Sequence, residues 1–463
     1  MGPRILLCYL ALIAAIVLVV GVGTALQPSY GNLTPWQGIT VDDIRSAPTS
    51  SPWAVDLAAT LAPGAPAECL RFTASDVGQD LVLVRAESAW TFGYTAETLC
   101  TSVPAGFDSR VALLDTANGA VPWVHDTASD LPTSQGVSIS SASTFDHASK
   151  VLLEAGSSTT SIVEALSIST GQVIGTTGPM PWSDENRFAS NGDVVAIGSL
   201  SADALTYRYQ LRNADHLSRV VWSGEGNETG TMIPLSDRLL LGGDATQQIL
   251  LSTGAVSRWG PAVNTALGYT VHGDTVFAVH TRGSGVTTVG RTGFSAVSKT
   301  GKVLWQSNLD LRGSYSLTRS CLAVTDPTGN RLSCLDYATG KPKWTVEVSA
   351  FSSAASAPGQ RSDDVFAISA TDTAHVVDLD GATGRQKFVA EVPTGSSIVA
   401  AGHTVAYALA YGITGSRSNV IAVDLSSGRR LWTDSSQLQF ALWGGHLIDI
   451  GVDGFARRLN GAP

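Results

Sequence analysis

The sequence is poor in charged residues. Only 15% of its 463 residues are Asp, Glu, Lys or Arg, and 29 basic against 39 acidic residues leave a formal charge of −10. Affinity for nucleic acid comes largely from clustered Lys and Arg. The adjacent basic residues here are the pairs Arg429 with Arg430 and Arg457 with Arg458. We therefore expect no nucleic-acid partner.

Long amphipathic helices are also disfavoured by the composition. The chain has 47 Gly and many Ser, Thr, Ala and Val residues, which is typical of short strands joined by tight turns. A chain of this length could form two or three ordinary domains, or one large closed all-β domain of the barrel or propeller kind.

Linear motifs of catalysis are missing. There is no GxSxG, HExxH or phosphate loop, and zinc-binding CxxC spacing is absent. Asp378, Asp380 and Gly381 in DLDGATG resemble part of a calcium loop, but the further oxygen ligands and the distal Glu of an EF-hand are absent. We interpret this stretch as a hairpin, and predict no catalytic, cofactor-binding or metal-binding residues.

The N-terminus carries a long apolar run. Residues 5–26 are long enough to cross a bilayer as a helix. Arg4 precedes the run and the next basic residue is Arg45, so the charge bias places the N-terminus in the cytoplasm and the remainder outside. A signal peptide cleaved near Gly23 and Ala25 is the alternative. We predict a transmembrane signal anchor over residues 1–26 that makes this a single-pass protein of the cell membrane.

The cysteines fit an extracytoplasmic location. After Cys8 there are four, an even number suited to an oxidising compartment. Cys321 and Cys334 flank an Asp-Pro-Thr-Gly turn, so a hairpin would place them directly opposite each other. The predicted disulfides are therefore Cys321 with Cys334 and Cys69 with Cys100.

A short motif recurs after residue 50. Three stretches, VALLDTANGAVPW, SCLDYATGKPKW and IAVDLSSGRRLW, keep an Asp, a Gly and a Trp four residues apart. Weaker copies lie between them, and the turns recur about every 44 residues, a period typical of propeller blades. The motif residues are Asp115, Gly119 and Trp123; Gly254 and Trp259; Gly301 and Trp305; Asp336, Gly340 and Trp344; Asp380, Gly384 and Phe388; Asp424, Gly428 and Trp432.

Each repeat predicts four strands. An apolar strand such as GQDLVLV or NGDVVAIG precedes each motif, and the motif itself contains the turn between the third and fourth strands. Four antiparallel strands form one blade. Nine such units can be counted, and the last ends before its Trp strand. We expect SPWAVDLA, residues 51–58, to supply the missing outer strand.

The motif residues have physical roles at these positions. Gly can adopt the positive φ of a tight turn, and Asp can accept hydrogen bonds from nearby backbone N–H groups. A Trp buried between blades removes about 150–250 Å² from water, worth about 4–6 kcal/mol before ordering costs. The motif is therefore expected to hold neighbouring blades together.

The complete pattern, A-x-D-x-x-[ST]-G-x-x-x-W, comprises Ala422, Asp424, Ser427, Gly428 and Trp432. It resembles the tryptophan-docking motif of PQQ-type quinoprotein propellers and of BamB-type outer-membrane assembly scaffolds. The resemblance covers essentially residues 50–463. It implies an all-β propeller of four-stranded blades over residues 51–463, with eight blades favoured in a range of seven to nine, after a linker over residues 27–50.

The same resemblance bears on function. The dehydrogenases of this family carry two adjacent cysteines that stack on the quinone, with a Glu, Asn and Asp set that holds calcium. This chain has no adjacent cysteine pair and no matching cluster, so it resembles the non-catalytic, BamB-like branch, without a cofactor. The expected function is a membrane-anchored scaffold of the bacterial cell envelope that binds another envelope protein or a cell-wall component. A degenerate quinoprotein-type oxidoreductase, or a hydrolase with a site assembled from several blades, is the alternative.

Overall fold

The computed structural model describes the chain from residue 39 to residue 461. It leaves out residues 89–105, 132–135, 146–148, 158–159, 182–186, 191–193, 201–206, 227–231, 242–245, 261–268, 282–291, 308–314, 327, 348–350, 358, 361, 371–373, 411–417 and 437–438. The predicted anchor lies outside the described residues. Within them, no helix has the length and apolar character needed to cross a membrane.

The described residues form nine antiparallel blades, eight of them four-stranded sheets and one, blade two, a sheet with a fifth short strand. Before them come β1 (Pro48–Ser50), β2 (Ala54–Asp56), α1 (Leu57–Leu61) and a 3-10 turn (Ala67–Cys69). Blade one is β3 (Leu70–Gly78), β4 (Leu81–Ser88), β5 (Arg110–Asp115) and β6 (Trp123–Asp126), followed by a 3-10 turn (Thr127–Ser129). Blade two is β7 (Ser138–Phe145), β8 (Lys150–Gly156), β9 (Thr160–Ser167) and β10 (Val173–Thr176), with β11 (Met180–Pro181) also paired to β9.

The next four blades follow in chain order. Blade three is β12 (Arg187–Ser190), β13 (Val194–Leu200), β14 (Tyr207–Asn213) and β15 (His216–Gly226). Blade four is β16 (Met232–Pro234), β17 (Arg238–Leu241), β18 (Gln247–Leu250) and β19 (Val256–Arg258). Blade five is β20 (Tyr269–His272), β21 (Thr275–Thr281), β22 (Thr292–Ser298) and β23 (Val303–Ser307). Blade six is β24 (Tyr315–Leu317), β25 (Leu322–Thr325), β26 (Arg331–Leu335) and β27 (Pro342–Glu347).

The last three blades complete the set. Blade seven is β28 (Phe351–Ala355), β29 (Val365–Ala370), β30 (Ala374–Leu379) and β31 (Gln386–Val392). Blade eight is β32 (Ser396–Ala401), β33 (Val405–Ala410), β34 (Ser418–Asp424) and β35 (Arg430–Ser436). Blade nine is β36 (Gln439–Trp443), β37 (His446–Ile450), β38 (Phe455–Arg458) and the N-terminal β2, while β1 pairs with β39 (Asn460–Gly461).

The blade number corrects one expectation. The family resemblance favoured eight blades, whereas the described residues form nine. Each of the nine apolar strand and hairpin units counted in the sequence is a separate sheet, and the incomplete last unit is completed by β2. The prediction of eight blades, which rests on the usual size of the family, is wrong, and the number of repeats in the sequence gives the observed nine.

The N-terminal strand closes the ring. In β2, Ala54, Val55 and Asp56 pair with Arg457, Ala456 and Phe455 of β38, as expected for SPWAVDLA. The first and last blades also meet at their inner strands, because Gln439 of β36 hydrogen-bonds to the backbone of Phe72 in β3. One apolar cluster spans α1 and both blades, including Leu57, Leu61, Phe72, Leu114, Trp443 and Ile448.

Part of the segment predicted as a linker packs on the ring. Val41 and Ile44 are buried against blades eight and nine, and the backbone N–H of Ile44 donates to the hydroxyl of Tyr407 at 2.7 Å. Residues before position 51 therefore contribute to the apolar packing of blades eight and nine.

Candidate functional sites

The motif tryptophans join consecutive blades. The ring of Trp344 in blade six lies on Gly384 of blade seven, where a Cβ would come within 2.6 Å of the indole. Its Nε1 donates to the carbonyl of Gly381 at 2.9 Å. The same Nε1 bond is made by Trp53 to Thr116, Trp123 to Ile168, Trp259 to Lys299 and Trp305 to Tyr337.

Two motif positions show how the pattern adapts at the end of the ring. Phe388 takes the place of Trp in blade seven and lies on Gly428 of blade eight. Trp432 of blade eight donates instead to the carbonyl of Ile44 at 2.7 Å, in the N-terminal segment. Trp53, directly before the N-terminal strand of blade nine, lies on Gly119 of blade one. The contact of an aromatic ring with a turn glycine therefore also joins blade nine to blade one.

The motif aspartates act within their own turns. Oδ1 of Asp336 accepts from the backbone N–H groups of Ala338 at 3.1 Å and Thr339 at 2.9 Å. Asp380 makes the equivalent bonds to Ala382 and Thr383. The DLDGATG stretch is therefore a capped hairpin turn, as interpreted from the sequence.

A hydrogen-bond network around His446 joins the N-terminal segment to the first and last blades. Its Nδ1 lies 2.7 Å from Oδ2 of Asp42 and its Nε2 lies 2.6 Å from Oδ1 of Asp80, and Arg458 also contacts Asp42 at 2.9 Å. Burial acts to raise the pKa of Asp42, but the contacts with His446 and Arg458 outweigh it and lower that pKa. These contacts join the N-terminal segment, blade one and blade nine.

The cysteines lie at structural positions. Cys321 and Cys334 form a disulfide with a Cα–Cα distance of 5.4 Å. They are not directly opposite, because Cys334 pairs with Ala323 and Cys321 lies in the bend before β25. Cys69 is buried and disulfide-bonded. Cys100 lies outside the described residues, so its pairing with Cys69 stays a prediction.

The outer strands carry an exposed aliphatic rim. Among the described residues, the large hydrophobic side chains that are exposed lie in the fourth strands of blades, apart from Val452. In β31, Phe388 is buried against blade eight and the adjacent Val389 is 43% exposed, because successive side chains of a strand point to opposite faces. The rim consists of Val124, Val173, Ile174, Val220, Val221, Val256, Leu304 and Val389.

A polar cluster that the sequence did not reveal lies between blades one and two. His125 of β6 meets Glu164 of β9, with Nε2 and Oε2 3.0 Å apart, and Asp130 lies 3.6 Å from the same nitrogen. Burial raises the pKa of Glu164, although its hydrogen bond to His125 acts in the opposite direction. Glu164 is 39 residues from His125 in the sequence, so the three residues form no linear motif. An alignment of the blades on their turn glycines would have shown that His125 and Glu164 differ from the residues at the same positions of other blades.

Comparison with known proteins finds a family model that matches part of the repeat region. Residues 290–441 match the family model described as outer membrane protein assembly factor BamB. BamB from Moraxella catarrhalis is 14% identical, with 77% of this chain and 92% of that chain covered and a TM-score of 0.39. Sqt1 from Saccharomyces cerevisiae is 12% identical, with 84% and 94% covered and a TM-score of 0.42. A search of curated proteins gave no match. The family match and the four-stranded blades confirm the predicted resemblance to PQQ-like, BamB-type propeller repeats.

Proposed function

We propose that the protein is a membrane-anchored, extracytoplasmic scaffold that binds another protein of the cell envelope through the rim of its propeller, and that it is not an enzyme. The observation that carries this proposal is the position of the exposed aliphatic side chains. They lie on the outer strands of blades one to five and of blade seven, although a closed ring does not need them for its own packing.

The rim has two properties of a protein-binding surface. Each outer strand is the last in its sheet, so one edge offers backbone N–H and C=O groups for pairing. Val389, Leu304 and Val256 place apolar area beside these edges, with exposed fractions of 43–46%. An extended segment of a partner can pair along such an edge and bury its own apolar side chains against the rim. The description of the matched family model, an assembly factor, agrees with a binding role.

The location is proposed from the sequence and the disulfide. The apolar run over residues 5–26 follows Arg4, which favours a cytoplasmic N-terminus and an external ring. The bond between Cys321 and Cys334 is of a kind that persists in oxidising compartments. Both observations support a ring outside the cytoplasm, attached by its N-terminal helix.

Photo-cross-linking in intact cells tests the scaffold. A photoreactive residue is placed at Val389, Leu304 or Val256 of the full chain, and at Lys341 as an exposed control in a hairpin turn. We expect the same envelope protein to be cross-linked from neighbouring rim positions and not from Lys341. Adding Val389→Asp should abolish the cross-link from Leu304 or Val256 without lowering the melting temperature. Cross-links that are equal at rim and control positions, or absent at every rim position, would contradict the proposal.

A further inference from the structure

The strongest unassigned feature is the cluster of His125, Asp130 and Glu164, which offers one nitrogen and two carboxylate oxygens within 4.8 Å of one another. Two elements position them. His125 follows Trp123 by two residues in β6, so both side chains face blade two, where Trp123 bonds to the carbonyl of Ile168 at 2.7 Å. The 3-10 turn after β6 then brings Asp130 back to the same interface between blades one and two.

Glu164 is the residue that needs an explanation. Its side chain is 1% exposed, and one carboxylate oxygen, Oε2, contacts His125. The other oxygen, Oε1, is buried and has no hydrogen-bond partner. A buried carboxylate oxygen without a partner is costly, since such groups are normally hydrogen-bonded or bound to a metal. A Gln would keep the bond to His125 without a buried charge.

The propeller fold itself does not require these residues. Two residues after the docking Trp or Phe, other blades have Val55, Ser307, Val346, Ala390 and Asp434 in place of His125. Seven residues before the turn glycine, other blades have Ala112, Gln247, Phe294, Ser333, Val377 and Ile421 in place of Glu164. The other blades compared in this way form their interfaces without this His and Glu pair, so the pair serves something other than blade packing.

We propose that His125, Asp130 and Glu164 bind a divalent transition-metal cation, with Zn²⁺ preferred, at the seam between blades one and two. An imidazole and two carboxylates are ligands that Zn²⁺ accepts. Donor atoms around a tetrahedral Zn²⁺ are roughly 3.3–3.6 Å apart when the bonds are about 2.0–2.2 Å long. The separations of the two carboxylate oxygens from Nε2 of His125, 3.0 and 3.6 Å, are close to this range. The side chain of Asp130 is 36% exposed and gives the site a route to solvent.

Metal titration of the full-length chain tests the site. The protein is purified in detergent with Cys8→Ser, so that this thiol does not compete, and is treated with a chelator that is then removed. Zn²⁺ binding is measured by competition with a chromophoric chelator, and Co²⁺ is added separately to record visible absorption. We expect one Zn²⁺ per chain and a Co²⁺ spectrum of a low-coordinate site. Ca²⁺ and Mg²⁺ should not compete, because they prefer six or more oxygen ligands.

Three variants assign the metal to these residues. His125→Asn and Glu164→Gln should each lower the Zn²⁺ affinity by more than the roughly 10- to 100-fold typical of residues that only support a ligand. Asp130→Asn, at the most exposed of the three positions, should lower it about 10-fold with the fold intact. Asp434→Asn is the matched control, since Asp434 holds the same position after Trp432, and should leave the affinity unchanged.

Melting temperatures and the affinities of the variants decide whether Zn²⁺ binds at these three residues. Zn²⁺ should raise the melting temperature of the parent and of Asp434→Asn but not of Glu164→Gln. Absence of stoichiometric binding at micromolar Zn²⁺ would overturn the proposal. So would a Zn²⁺ affinity that neither His125→Asn nor Asp130→Asn lowers, because the metal would then be held elsewhere.

Discussion

Truncation of a docking tryptophan should weaken the ring as much as a core mutation does. Trp344 is 7% exposed, lies on Gly384 and donates to the carbonyl of Gly381 at 2.9 Å. A buried Trp removes about 150–250 Å² from water, or about 4–6 kcal/mol at about 25 cal/mol per Å². Because some of that area is reburied as neighbours relax, Trp344→Ala should lower the free energy of unfolding by about 3–5 kcal/mol.

A second substitution separates packing from hydrogen bonding. Trp344→Phe keeps most of the ring contact and loses the bond to Gly381, so the loss should be about 1–2 kcal/mol. Lys341→Ala, an exposed change in the same hairpin, should stay within about 0.5 kcal/mol. Urea unfolding followed by circular dichroism measures all three. If Trp344→Ala and Lys341→Ala lose the same small amount, the indole does not hold the seam and the docking account is refuted.

Three further predictions concern the turns, a buried carboxyl group and the cofactor. Gly340→Ala should cost about 2 kcal/mol or more in urea unfolding, because φ is +67° and a Cβ would clash with Trp305; an unchanged midpoint would contradict this. Burial and the charge of Asp364 raise the pKa of Asp378 to about 7. The folded state therefore keeps a proton that the unfolded chain loses near pH 4. Because of this difference, the free energy of unfolding should fall as the pH rises from about 4 to 7. Asp378→Asn should remove that fall and raise the free energy of unfolding at pH 8 by on the order of 2–4 kcal/mol. If the parent and the variant lose stability in parallel as the pH rises, Asp378 is not the cause. The full chain mixed with PQQ and calcium should show no saturable binding and no dye-linked oxidation of alcohols or aldoses, and turnover would favour the enzymatic alternative.

The repeat could be predicted because its signal is local. Asp424, Gly428 and Trp432 lie within one hairpin, so their spacing is visible in the sequence, and repetition gave the period of the blades. The closing strand was also predictable, since the last unit lacked a Trp strand and SPWAVDLA supplied one. Trp53 makes the same bond as the other docking residues.

Other features depend on contacts that have no local signal. Val41 and Ile44 are buried on the ring, but two apolar residues among Pro and Gly do not distinguish a packed segment from a linker. His125 and Glu164 belong to different blades, and their contact follows from the packing of blade one against blade two. The disulfide between Cys321 and Cys334 could be predicted from the hairpin, whereas the register that places Ala323, and not Cys321, opposite Cys334 could not.

The closure of the ring by β2 is the central structural claim, and a paired cysteine substitution tests it most directly. Val55 lies opposite Ala456 in the register of β2 and β38, so Val55→Cys with Ala456→Cys places two thiols on one face, within the Cα separation of about 4.4–6.8 Å that a disulfide needs. Val55→Cys with Arg457→Cys is the control, because a shift of one residue places the side chains on opposite faces. Non-reducing peptide mapping of the full chain should find the 55–456 bond in most molecules and the 55–457 bond in few. Free thiols at both positions of the first pair would contradict a ring of nine blades closed by its N-terminal strand.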